Sequence, residues 1–125
     1  MSDQPALARI TIALTDIQVR DDAWARMRPK HAPAHLQLWT AVTRYAQPGY
    51  VAAPASLLAF VAWQAGEGAI ATIAIERALA DDPTYQMAQL IRDALDAGLP
   101  PSAADLTTTP KEVASSYAAQ RRQRS

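Results

Sequence analysis

The chain has no cysteine. That absence excludes a disulfide framework, a thiol nucleophile and any thiolate metal site. A charge excess of either sign is missing too: 12 Lys and Arg balance 12 Asp and Glu, so the formal net charge is zero. A whole-molecule electrostatic drive toward nucleic acid or an anionic membrane is thereby excluded. There is no apolar run long enough to cross a bilayer. The most apolar stretch, YVAAPASLLAFVAW, is short and contains Pro54 and Ser56. The opening MSDQPALARI has no basic segment leading into an apolar one, so no signal peptide is expected and a cytoplasmic location is. The sequence also lacks a GxGxxG loop, a P-loop and a GxSxG elbow, and Ser56, Ser115 and Ser116 have no His and Asp context for a triad. No catalytic residue, no cofactor-binding residue and no metal ligand is predicted, and no cofactor.

What is present suits one domain. The 125 residues are half hydrophobic, with aromatics at only 6%, and alanine is abundant. Alanine loses no side-chain entropy in a helix, and its small side chain lets helices approach closely. The prolines and glycines punctuate helical runs. Pro5, Pro33, Pro54, Pro83 and Pro110 each precede an apolar-periodic run, the N1 position where a missing N–H costs nothing. Gly49, Gly66 and Gly98 each follow one, where a left-handed residue ends a helix.

Between these marks the period is helical. Residues 35–46 carry Leu38, Val42 and Tyr45 on one face, with Trp39 and Ala46 beside them. Residues 85–97 carry Met87, Leu90, Ile91, Ala94 and Leu95. Residues 54–65 are apolar nearly all round, which predicts a helix in the middle of a stack. Residues 20–27 read as a short polar helix with Trp24 and Met27 inward. In ARITIAL, the alternation of Ile10, Ile12 and Leu14 suggests a strand, while Leu7, Ile10 and Leu14 fit a helix. With no second strand to pair with, helix is favoured. TTTPKEVASSYAAQRRQRS opens with a capping box at Thr109, Pro110 and Glu112 and predicts a marginal helix fraying into a basic tail. The division expected is a helical domain over 1–105 and that segment over 106–125.

WQAGEGAIATIAIERALADDP reads as half of a helix-turn-helix repeat. Gly66 takes the turn, Ala71 and Ala78 let the second helix lie close to the first, Ile75 fills the gap, and Pro83 starts the next helix. The first helix departs from the tetratricopeptide pattern, with Ala55 and Ala59 where a bulky aromatic and a glycine are usual. A tetratricopeptide-like hairpin over about Ala53 to Asp81 is expected, within an all-α fold of five or six helices in stacked antiparallel pairs. The order of motifs over Pro5 to Ser102 resembles the C-terminal helical region of the actinobacterial domain of unknown function 4192 family: Asp-Asp-Ala-Trp, a helix with Trp39, Ala-Pro-x-x-Leu-Leu-Ala, then Trp63 and the Gly-rich turn. The resemblance implies a helical fold. It supplies no reaction and no catalytic residues. Members are usually longer, with an N-terminal α/β-looking half, so the resemblance also implies a truncated or stand-alone half.

Several residues invite a functional reading. His31 and His35 are spaced i, i+4 like two metal ligands, but Pro33 lies between them and no third ligand is near in sequence. Asp21 with Asp22, and Asp81 with Asp82, read as acids at helix ends, where the dipole favours them. Trp24, Trp39 and Trp63 read as core, each indole N–H finding a carbonyl. Arg20, Arg26, Arg28, Lys30 and His31 form one basic stretch, and Arg121, Arg122 and Arg124 another, without the interleaved aromatics that base stacking needs. The expected function is a non-enzymatic protein–protein interaction or scaffold module, with a concave face lined by polar residues of the second and third helical pairs and a protein or peptide partner. The alternatives are a small nucleic-acid-associated protein, or the half of a larger protein whose apolar surface pairs with a missing half or with itself.

Overall fold

The computed structural model describes residues 4–101. Among them are six α-helices and no strand, as an all-α chain requires: α1 (Gln4–Ala13), α2 (Ile17–Ala25), α3 (Ala32–Tyr45), α4 (Ala52–Gln64), α5 (Gly68–Asp81) and α6 (Gln86–Asp96). A 3-10 turn, Pro29–His31, leads into α3. The expected C-terminal helix from Pro110 and the arginine tail lie outside the described residues.

α4 is the centre because it is apolar on every side. Every residue from Val51 to Gln64 is buried, and α2, α3, α5 and α6 all pack against it. Its alanines are what let several neighbours come close at once. α4 and α5 share the most extensive interface. There Ala71, Ala74, Ile75 and Ala78 are buried, and burial of an isoleucine such as Ile75 contributes roughly 2–3 kcal/mol. The turn between the two helices is Gly66, with φ +77°. Its N–H donates to the Trp63 carbonyl at 3.0 Å and that of Glu67 to the Ala62 carbonyl at 2.8 Å, the double closure that needs a left-handed residue. Gly98 ends α6 in the same way.

The N-terminal run is a helix, and its burial says why. A strand would put Ile10, Ile12 and Leu14 on one face. Here Leu7 and Leu14 are buried and Ile12 is 59% exposed. α1 packs chiefly on α3, with at most slight contact to its neighbour α2, so the first two helices are not a self-contained hairpin. Helix phase departs from expectation at two positions. α3 buries Trp39, Val42 and Thr43 and turns Leu38 outward, and α6 buries Met87, Ala88 and Ile91 and turns Leu90 outward. In both, a small or polar residue faces the alanine-rich neighbour in place of the leucine. Three punctuation marks also act differently, and the first is Pro54, the third residue of α4 and not its first. Gly49 does not end α3. With φ +89° it is the third residue of a turn closed by the Tyr50 N–H on the Gln47 carbonyl at 2.9 Å. Pro83 does not start α6. It sits in the turn before it, where the Asp82 carboxylate accepts from the Thr84 N–H at 3.0 Å and its hydroxyl at 2.7 Å.

Candidate functional site

Three connections meet at one end of the stack: α1–α2, α3–α4 and α5–α6. Asp81, the last residue of α5, ties two of them together. One carboxylate oxygen accepts from the Gly49 N–H at 2.7 Å, the other from Val51 at 3.0 Å and Ala52 at 3.3 Å. The Val51 and Ala52 N–H groups stand at the start of α4, where no intrahelical carbonyl can satisfy them, and the helix dipole favours the charge. The acid expected to serve its own helix turn instead caps a helix about thirty residues earlier. Nothing local in the sequence signals that.

Beside this cap lies a pocket of about 360 Å³. Leu14, Ala52 and Ala53 form its apolar part, Thr11, Thr15 and Ile17 one wall, and Tyr50, Asp81, Asp82 and Tyr85 the other. The Thr11 and Thr15 hydroxyls donate to the Ala8 and Ile12 carbonyls, both at 2.7 Å. Their lone pairs, with the carboxylates, leave a rim rich in acceptors. Tyr85 connects the pocket to α2. Its hydroxyl accepts from Arg20 at 3.2 Å, and the guanidinium carbon lies 5.4 Å from the ring centroid. Burial pushes the Tyr85 phenol above its usual range, with the Arg20 contact pulling the other way. Burial alone would lower Arg20, but its hydrogen bonds to Tyr85 and Asp21 outweigh that and raise it.

The other candidates resolve one by one. Arg20 pairs with Asp21, Nε to carboxylate at 2.8 Å, and Arg26 with Asp22 at 2.9 Å. Arg28 donates to the Ala25 and Met27 carbonyls. Three of the basic stretch's cations are thus turned to the protein's own acceptors, and the structure does not assemble them into a cationic face. His31 and His35 do meet, edge to face with centroids 6.3 Å apart. Burial and then the neighbouring His31 lower the His35 pKa, and among the described residues no group of three His, Cys, Asp or Glu stands close enough to share an ion. Trp63 finds its carbonyl, Leu99 at 3.3 Å. Trp24 does not: its Nε1 is buried without a partner while the ring packs edge-on against Phe60, centroids 5.6 Å apart. Here ring packing on α4 fixes the indole, and no carbonyl lies where the N–H points. Ser56 is fully buried with its hydroxyl on the Ala52 carbonyl at 2.7 Å. Among the described residues no helix is long and apolar enough to cross a membrane.

No curated protein and no solved structure matches the chain. One family model does, over residues 1–102. The match covers the described helices, with Asp21–Trp24, Trp39, the buried α4 and the Gly66 turn in order, and the chain belongs to the family described as Domain of unknown function (DUF4192).

Proposed function

We propose that this protein is a non-enzymatic interaction module, a tetratricopeptide-like stack of helical hairpins that binds a protein or peptide partner. The observation that carries this reading is the pocket of about 360 Å³ where the three connections meet. Its apolar floor suits a side chain, and its acceptor-rich rim suits donors: peptide N–H groups, or a lysine or arginine beside the anchoring residue. The concave face proposed from sequence therefore moves from the polar sides of the helical pairs to the loop end of the stack. The buried, hydrogen-bonded Ser56 supports a binding role over a hydrolytic one. The internally paired arginines favour a protein partner over nucleic acid.

The test is a tagged pull-down from native lysate, with and without nuclease, comparing the natural chain with Thr15→Arg. Thr15 is exposed at the pocket wall, so arginine there obstructs the pocket without disturbing the core. A protein partner that survives nuclease and is lost with Thr15→Arg is the expected result. Recovery that collapses on nuclease treatment, or that is indifferent to the substitution, refutes this reading.

A further inference from the structure

The pocket at the loop end carries charge of one sign. Among the described residues its lining includes Asp81 and Asp82 but no Lys, Arg or His. The two carboxylates are not equivalent. Asp81 is spent on the backbone, both oxygens accepting N–H groups of the Gly49 turn and the start of α4. A bare helix start would attract an anion, but here the chain's own carboxylate already holds that place. Asp82, half-buried, is committed on one side only. Its Oδ1 accepts both the Thr84 N–H and the Thr84 hydroxyl, and among the described residues no cation pairs with it. Its charge is felt at the pocket wall: after burial, which is the larger cause, Asp82 helps hold the Tyr85 phenol above its usual range. Arg20, on the Tyr85 ring, does not line the pocket, and Asp21 answers its charge.

We propose that the partner inserts a lysine or arginine side chain into this pocket, its stem along Leu14, Ala52 and Ala53 and its cationic head on the Asp82 carboxylate beside the Tyr50 ring. This rests on the interaction-module reading and narrows it: the docking segment of the partner is basic. Size and polarity both fit. A volume of about 360 Å³ lies near the lower end of ligand pockets, roughly 300–1,000 Å³, so it suits one side chain and not a helix. Leu14, Ala52 and Ala53 are buried and apolar, and lysine and arginine carry an aliphatic stem before the charge. The Thr11 and Thr15 hydroxyls spend their protons on helix carbonyls, so they offer an entering donor only lone pairs. Tyr50 is 42% exposed, which leaves ring surface for a cation. The same end of the molecule already makes that contact once, where Arg20 lies over Tyr85.

Nuclear magnetic resonance titration of the full chain tests the proposal with probes that are the side chains themselves. Propylguanidinium stands for arginine and butylammonium for lysine, with butanol as the neutral control and butanoate as the anionic one. Both cations are expected to shift the amides around the pocket, in residues 14–17, 49–53 and 81–85, and to saturate with dissociation constants of about 1–10 mM. Butanol is expected to bind at least about fivefold more weakly. Asp82→Asn should weaken the cations about fivefold and leave butanol unchanged. Asparagine keeps an acceptor for Thr84, so the turn is retained. A pocket that takes butanol as tightly as the cations, or butanoate more tightly, overturns the proposal. So does cation binding indifferent to Asp82→Asn, or the absence of any saturable shift up to about 50 mM. None of these outcomes touches the interaction-module reading, which stands or falls on the Thr15→Arg pull-down.

Discussion

Asp81 joins two elements that the chain separates by thirty residues. Its carboxylate accepts three N–H groups from the Gly49 turn and the start of α4, and α4 is the helix on which four others rest. Loss of an ordinary N-cap costs about 1 kcal/mol. Here an ionised acceptor serves three donors, and such bonds are stronger than neutral ones. Asp81→Ala is therefore expected to lower unfolding stability by about 2 kcal/mol, read as a fall in the urea midpoint with unchanged slope. Asp82→Ala loses only the local bonds to Thr84 and should cost distinctly less. In the sequence these two residues look alike, both acids near a helix end. What separates them is which one points at α4, and that depends on how α5 packs. The candidate site was illegible for the same reason: its walls come from three connections that only the packed helices bring together.

At the scale of elements, the signals that depend on local chemistry were readable. Gly66 had to take a left-handed turn, Ala71, Ile75 and Ala78 had to face a close neighbour, and α4 had to be central because it has no polar side. Helix phase was readable only approximately. Leu38 and Leu90 look like core residues by hydrophobicity, yet both are exposed, because alanine and threonine satisfy a neighbour that is itself built of alanine. α2 carries little positional signal, since its apolar residues form no clear stripe and its contact with α4 is slight. Its position rests on a few anchors: Trp24 against Phe60, the fully buried Met27 just beyond its end, and Arg20 on Tyr85. Tyr85→Phe removes one hydrogen bond from that set and keeps the ring. Such a bond is worth about 1 kcal/mol, so amides of residues 17–25 should exchange about fivefold faster. Amides of α4 and α5 should be unaffected, because their opening does not pass through α2. Equal acceleration in all three helices would show that α2 is not a separate unit.

At the scale of the whole molecule, one core joins the described helices. The cluster of buried apolar residues runs from Leu7 in α1 to Ile91 in α6, with α4 at its middle. Near the end of the described residues the Trp63 indole donates to the Leu99 carbonyl, reinforced by the Gly98 turn that ends α6. The expected boundary near residue 105 can be tested by truncation on either side of it. A chain ending at residue 105 should keep the helical content and thermal midpoint of the full chain. A chain ending at residue 96 loses both the Gly98 turn and the acceptor of Trp63, each worth about 1 kcal/mol. For about a hundred residues that combined loss corresponds to a midpoint lower by roughly 10 °C. Thermal denaturation of the three lengths side by side decides the matter. If the 105-residue chain melted as low as the shorter one, residues beyond 105 would belong to the folded unit, and the boundary would have to move toward the C-terminus.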